Sequence, residues 1–318
     1  MEKKLNDLID KALSRRKFLA GAGTAAAGAM IVGCNSSTPA PTTTPTPTPT
    51  PLDIPDNDIL NFALNLEYLE AEFYLYATTG SGLSTADALS GAGTTIVPQG
   101  IAAVPWTNSS FAQYANEIAQ DELDHVRAIQ AAIKANSGTP VPRPALDLTF
   151  FAPLAVAAGI TNPSPFNPFL STNAFLVGAF VFEDVGVTAY TGAAPLISNN
   201  AILSAAAGIQ ATEAYHAAEI RTLLVAGAAQ TNDQTYVNLA NQVSTLRGNI
   251  SVASGNKLAA ETQLGTMSIV AADGNAIAYA RTTDQVLHIV YGGASGVGVA
   301  KGGFFPNGLN GNISVTAS

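Results

Sequence analysis

A pattern of acidic, phenolic and imidazole side chains, used twice along the chain, limits its fold more than any other feature. Two segments hold a Glu followed seven positions later by a Tyr, and two hold a Glu followed three positions later by a His. In chain order these are Glu67–Tyr74, Glu122–His125, Glu183–Tyr190 and Glu213–His216. Residues three or seven positions apart lie on the same face of a helix. The repeat therefore predicts four helices, each of which points two such side chains in one direction.

The residues that share these helix faces are apolar. The stripe around Glu67 also contains Leu60, Leu64 and Ala71, and the other three motifs have similar neighbours. A carboxylate buried on such a stripe loses its hydration, which costs several kcal/mol. Cations would offset that cost, and four carboxylates with two imidazoles can hold two divalent ions in the core of a four-helix bundle.

The two Glu-x-x-His motifs are weak signals when they are taken singly, because such pairs also occur on exposed helix surfaces. The chain, however, has only 3 His, and two of them follow a Glu at this spacing. The combination therefore favours a metal site over surface pairs. Carboxylate and imidazole ligands suit iron, manganese or zinc better than calcium or magnesium. We expect two metal ions, with iron as the first choice and manganese as the alternative.

The same residues resemble the ferritin-like superfamily, in which rubrerythrins and bacterioferritins carry the Glu-x6-Tyr and Glu-x-x-His pattern. The segments EYLEAEFYLYA, FVFEDVGVTAYTGAA and GGFFPNGLNG are more similar to the branch that includes plant desiccation-related proteins. The resemblance extends from about residue 56 to the C-terminus. It implies an all-α fold, a ferritin-like four-helix bundle with one long crossover. The six ligands that it implies are Glu67, Glu122, His125, Glu183, Glu213 and His216.

Each predicted ligand can be given a role. We expect Glu122 and Glu213 to bridge the metals, and one imidazole to bind each ion. Glu67 and Glu183 would be terminal ligands. Tyr74 and Tyr190 could donate hydrogen bonds to the carboxylate of the opposite helix and fix its rotamer. The alternative for both tyrosines is simple packing in the bundle.

The N-terminal segment predicts export rather than a folded domain. Arg15 and Arg16 precede an apolar run at residues 18–33, which fits a twin-arginine signal and is short for a membrane span. Cys34 follows a lipobox-like sequence and is the predicted lipidation site; the alternative is an uncleaved anchor. Residues 1–34 would be the lipoprotein signal and residues 35–55 a Pro/Thr-rich linker. We expect a membrane-anchored lipoprotein that faces the periplasm or the cell exterior.

The charge of the remaining chain excludes one class of partner. Residues 1–33 carry six basic and three acidic groups, so the rest has eight basic and twenty acidic groups, a formal charge of −12. Such a chain is a poor match for nucleic acid. The single Cys also excludes an intramolecular disulfide.

The folded part is predicted to contain a bundle at residues 56–228 and a loop-rich extension at residues 229–318 with one or two short helices. The long connection at residues 135–172 fits a crossover between parallel helices. We interpret Glu70 and Glu72 as solvated or rim residues and His288 as structural. Glu219 is either a seventh ligand or a surface partner of Arg221.

Two functions fit this pattern. The first is a di-iron or di-manganese oxidase or peroxidase-like enzyme that acts on dioxygen or peroxide and protects the envelope from oxidative stress. The chain has no Cys-x-x-Cys pair, so reduction of peroxide would need an outside electron donor. The second is metal sequestration or protection during drying, without turnover. The oligomeric state does not follow from the sequence.

Overall fold

A computed structural model describes residues 54–163, 165–251, 264, 269–293 and 296–317. These residues belong to one unit, which spans residues 52–318. The predicted signal, Cys34 and nearly all of the Pro/Thr-rich linker lie outside the described residues.

Four long helices build the centre of this unit. They are α1 (Asp56–Thr79), α2 (Ser109–Ala135), α3 (Thr172–Ala193) and α4 (Asn200–Thr231). Helix α2 is capped by Asn108, whose side chain accepts a hydrogen bond from the amide of Phe111 at 3.0 Å. Ser171 and Asn199 cap α3 and α4 in the same way, as expected for short polar side chains at this position.

The start of helix α1 is held by a tertiary contact rather than by a capping side chain. Pro55 precedes it without a side-chain hydrogen bond to the helix. Asp56 instead accepts hydrogen bonds from the backbone amides of Ser198 and Asn199, both at 2.8 Å. The side chain therefore ties the start of α1 to the turn between α3 and α4.

Contacts between the helices fix their directions. Tyr74 and Glu67 of α1 contact Glu183 and Tyr190 of α3 in reverse order, so these helices are antiparallel. Helices α1 and α2 are also antiparallel, and so are α3 and α4. It follows that α2 and α3 are parallel and that the chain must travel the length of the bundle between them. The predicted all-α ferritin-like bundle is confirmed.

The crossover is more structured than the predicted loop. It contains the short helix Phe151–Ala157 and the strand β2 (Leu146–Asp147), which pairs in parallel with β1 (Thr95–Ile96). Phe73 of α1 packs against Phe151 and Phe169 of the crossover, with ring centroids 5.4 and 5.5 Å apart. Aromatic packing therefore fixes the long connection to the bundle.

Helix α3 is the most apolar of the four. Together with the turn that follows, it forms a segment, Thr172–Leu196, long and apolar enough to cross a membrane. Within the described residues it is the only such segment, and 83% of its most apolar window is buried inside the protein. This is the pattern of a core helix that is covered on all sides.

The C-terminal extension contains helices α5 (Thr235–Ile250) and α6 (Thr283–Val290). Thr282 caps α6 through a capping box with Gln285. A buried ion cluster joins the extension to α3: Asp184 accepts hydrogen bonds from Arg221 of α4 and Arg247 of α5, each at 2.7 Å. The extension is therefore attached through the core as well as over the surface.

Candidate metal centre

The bundle brings all six predicted ligands together at its centre. Each is at most 8% exposed. They form two groups, and within each group the candidate ligand atoms all lie within 4.8 Å of one another. The first group is Glu67, Glu122, His125 and Glu213, and the second is Glu122, Glu183 and His216. Glu122 is shared, as expected of a bridging carboxylate, whereas Glu213 belongs to the first group alone. The coordination roles of the six residues stay predictions.

Most of the nitrogen and oxygen atoms of these side chains lie close to one another without a hydrogen bond. The shortest separations between imidazole Nδ1 and carboxylate oxygen are 3.0 Å for His216 with Glu122 and 3.2 Å for His125 with Glu67. Eight buried atoms of the six residues have no hydrogen bond. They are Glu67 Oε2, both carboxylate oxygens of Glu122 and Glu213, Glu183 Oε2, and Nδ1 of His125 and His216.

Such a set of atoms is costly in a protein interior unless a cation binds to it. A buried polar atom without a partner costs about 1–3 kcal/mol, and more when the group is charged. Carboxylate oxygens and imidazole nitrogens at these separations fit a pair of divalent transition-metal ions. The residues present therefore fit the predicted two-metal centre.

The two imidazoles are held differently. His216 directs Nδ1 towards Glu122, while its Nε2 lies 3.1 Å from Asp121 Oδ2. A carboxylate at the second ring nitrogen fixes the orientation and tautomer of a metal-binding His. Among the described residues, no such carboxylate lies at Nε2 of His125. The side chain of Asp121 is 38% exposed and reaches across to α4.

Both tyrosines of the repeat contact a carboxylate of the opposite helix. The hydroxyl group of Tyr74 donates a hydrogen bond to Glu183 Oε1, and that of Tyr190 donates to Glu67 Oε1. In each case the tyrosine donates a hydrogen bond to one carboxylate oxygen of the glutamate, and the other oxygen faces the centre of the bundle. The tyrosines therefore hold one oxygen each of Glu183 and Glu67, the two predicted terminal ligands.

Comparison with known proteins identifies the family. The ferritin-like domain family matches residues 55–226, which is the region of the four helices and the site. The chain belongs to the ferritin-like family. The desiccation-related protein PCC13-62 of Craterostigma plantagineum is 32% identical over 256 residues, which cover 74% of this chain and 78% of that protein. The ferritin-like catalase Nec2 of Nesocodon mauritianus is 29% identical over 286 residues, covering 83% and 86%. The resemblance to the desiccation-related branch is thus confirmed.

Electrostatics within the ferritin-like site reflect an excess of negative charge. Burial raises the pKa of Glu67 to about 7, although His125 and Tyr190 oppose the shift. Burial would also raise the pKa of Glu122, but the two imidazoles outweigh it and lower the pKa to about 2. Burial lowers the pKa of His216, but Glu183 and Glu122 outweigh it and raise the pKa to about 12. The carboxylates therefore attract positive charge strongly, as a cation site must.

Glu70 and Glu72, which we interpreted from the sequence as solvated or rim residues, are both buried, so a solvated position is wrong for both. Glu72 is fully buried and forms an ion pair with Arg143 of the crossover. Glu70 is 5% exposed and lies beside the ferritin-like site, where burial and the charge of Glu213 raise its pKa well above the usual value. Glu70 stands three positions after Glu67, so the spacing rule that linked Glu122 with His125 could have found it.

The role predicted for Glu219 is partly corrected. Glu219 lies outside both ligand groups and lines a surface cleft that includes His216. Its proposed partner Arg221 is 1% exposed and bound to Asp184 instead. No sequence signal pointed to Asp184, because its partners come from two helices that are distant in the chain.

Proposed function

We propose that this protein is an exported, membrane-tethered ferritin-like enzyme whose two-metal centre decomposes hydrogen peroxide and so protects the envelope from oxidative stress. The observation that carries the proposal is the group of eight buried ligand atoms without hydrogen bonds at the centre of the bundle. Bound iron or manganese would supply redox chemistry there, since both metals alternate between oxidation states. The metal-binding residues would be the six of the two ligand groups.

Disproportionation of peroxide fits a chain whose sequence has no Cys-x-x-Cys pair. One peroxide molecule is reduced to two waters while a second is oxidised to dioxygen, so electrons and protons balance without an outside donor. The absence of a Cys-x-x-Cys pair, a common ligand set for an electron-transfer iron, is no obstacle to this reaction. A relative that shares 29% identity over most of both chains is named a ferritin-like catalase, which supports the same reaction here. In its broader form, the proposal also includes reduction of dioxygen or peroxide by an outside electron donor.

The predicted location suits this reaction. Arg15, Arg16 and Cys34 suggest export by the twin-arginine route and attachment by lipid, as argued from the sequence. That route transfers folded proteins, so the centre could be filled before export. A peroxide-removing enzyme on the outer face of the membrane would act before peroxide reaches the lipid.

The test is to load the purified chain with iron or manganese and measure dioxygen release from hydrogen peroxide together with metal content. We expect two metals per chain and a rate well above that of the free ions. Glu122→Gln removes a carboxylate from both ligand groups and should abolish release. Asp124→Asn, which removes an exposed carboxylate on the same helix, is the control and should retain it. A fully loaded chain no faster than free metal would overturn the proposal.

A second function is protection during drying without turnover. It is favoured by the desiccation-related relative, which is 32% identical over 78% of its own length. In that case, the chain would bind metal but release no dioxygen. A cell that lacks the gene would then lose viability on drying, and the Glu122→Gln chain would restore it as well as the wild type.

A further inference from the structure

Two small cavities lie between α1 and α3, on either side of Glu70 and Gly186. Each has a volume of about 30 Å³. Their walls are almost entirely apolar, and both include Leu66. One of them also touches Glu67 and Tyr190, so it reaches the ligands of the metal centre.

The cavity that touches Glu67 and Tyr190 extends outward between α1 and α3. Its inner walls, Glu67, Glu70 and Gly186, are buried, whereas Ala63 and Ala193 at the other end are only half-buried. The cavity therefore extends from the metal centre towards a thinly covered part of the surface. We call this cavity the α1–α3 passage.

Gly186 lines the inner end of the passage and leaves room there for two carboxyl groups. A Cβ atom at this position would lie 2.4 Å from Glu213 Oε2 and 3.4 Å from Glu70 Oε1. Glycine lowers helix stability. The close approach of Glu213 explains why a glycine is present in the middle of α3. Because it has no side chain, Gly186 leaves room for the carboxylate of Glu213, a predicted metal ligand. It also leaves room for the carboxyl group of Glu70, which has no assigned role.

Glu70 is that carboxyl group. It is 5% exposed and lines both cavities, and its oxygens are not among the fully buried atoms that lack a hydrogen bond. It lies outside both ligand groups. A buried carboxyl group without a protein partner is expensive unless a ligand satisfies it.

We propose that the α1–α3 passage admits hydrogen peroxide to the metal centre and that Glu70 binds it there. This inference rests on the proposed function. The passage has room for molecules of about the size of water, and its apolar walls disfavour ions. Hydrogen peroxide is small and uncharged, and it donates hydrogen bonds that a carboxyl oxygen accepts in either protonation state. Dioxygen has no O–H group and would leave Glu70 unsatisfied.

The first experiment blocks the passage. Ala193→Phe places a ring at its outer end, and Ala207→Phe places the same ring on the exposed face of α4 as a control. With metal content equal to wild type, we expect kcat/KM for hydrogen peroxide to fall about tenfold in Ala193→Phe and not in the control. Wild-type protein should also act on tert-butyl hydroperoxide at a small fraction of its rate with hydrogen peroxide. Equal rates in wild type and Ala193→Phe would overturn the passage and leave the proposed function intact.

The second experiment tests Glu70 without turnover. Crystals loaded with zinc, which has no redox chemistry, are soaked in hydrogen peroxide and should show peroxide hydrogen-bonded to Glu70. Glu70→Leu should lose that density, and in the iron or manganese form it should raise the KM about tenfold. Glu70→Gln keeps a hydrogen-bond acceptor and should raise the KM by a smaller factor. Absence of peroxide beside Glu70 in the wild type would overturn the inference. A loaded wild type that binds peroxide but does not decompose it would overturn the proposed function instead.

Discussion

The hydroxyl group of Tyr74 donates a hydrogen bond to the carboxylate of Glu183 across the interface between α1 and α3. Tyr190 makes the same contact with Glu67 in the opposite direction. The two halves of the sequence repeat therefore interlock, since each half supplies the tyrosine that orients the terminal carboxylate of the other.

Removal of either hydroxyl group should weaken one ligand group more than the other. Tyr74→Phe releases Glu183 of the second group, and Tyr190→Phe releases Glu67 of the first. We expect each variant to lose about tenfold in affinity for one metal of the pair, measured by competition with a chelator. If both variants bind two metals as tightly as wild type, the tyrosines only pack in the bundle.

Asp121 should control the metal site that contains His216. Asp121→Asn replaces the carboxylate that lies 3.1 Å from Nε2 of His216. We expect a loss of about tenfold or more in metal affinity at that site, because the ring loses its fixed orientation and part of its basicity. Asp124→Asn is the matched control on the same helix, where the carboxylate contacts only exposed groups. Equal effects of the two substitutions would contradict this prediction.

Metal binding should release protons. In the metal-free site, burial raises the pKa of Glu67 to about 7, so this carboxyl group is partly protonated near neutral pH. The carboxylates of Glu183 and Glu122 outweigh burial and raise the pKa of His216 to about 12, so its imidazole is protonated there. Protons compete with the metal for these groups, so affinity should fall as the pH is lowered. Calorimetric titration with zinc in buffers of different ionisation enthalpy measures the number released. No dependence on the buffer would show that the groups are already unprotonated.

Gly186 should tolerate no side chain, in contrast to glycines of α4. In Gly186→Ala the new methyl group would meet Glu213 Oε2 at 2.4 Å, so we expect loss of at least one metal and a lower melting temperature. A Cβ at Gly208 meets nothing within 4 Å. Gly208→Ala should therefore stabilise the protein by up to about 1 kcal/mol, because alanine favours the helix. Differential scanning calorimetry with metal analysis distinguishes the two outcomes.

The buried ion cluster around Asp184 should contribute most of the free energy that attaches the C-terminal extension to α3. Asp184→Asn removes the carboxylate shared by two buried guanidinium groups, and we expect a loss of about 3 kcal/mol in the free energy of unfolding. Asp87→Asn removes a partner of the exposed Arg127 and should cost at most about 1 kcal/mol. Denaturant unfolding measures both. Similar losses would mean that the buried cluster contributes little.

The same cluster should respond to pH in a defined direction. Burial raises the pKa of Asp184, but Arg247 and Arg221 outweigh it and hold the pKa below its usual value. The folded value is thus lower than the unfolded one, so the stabilisation is complete above the unfolded pKa of about 3.9. It is lost as the pH falls through the folded pKa. Asp184→Asn should lack this part of the acid dependence.

The sequence by itself determined the helices and their inward-facing ligands. Spacings of three and seven residues are properties of one helix, so Glu122 with His125, or Glu67 with Tyr74, can be recognised without knowledge of any neighbour. The same rule applied to Glu70 would have found a further buried carboxyl group. The parallel direction of α2 and α3 also followed from the sequence, because a long crossover is needed only when the chain must return along the bundle.

Tertiary structure alone decided which groups of different helices meet. Asp121 contacts His216 across 95 positions of the chain, and Asp184 collects Arg221 and Arg247 from two other helices. Such contacts depend on the rotation and register of packed helices, which are set by the summed packing of many side chains rather than by local spacing. For the same reason, the sequence could name the ligands but could not place the passage that leads to them.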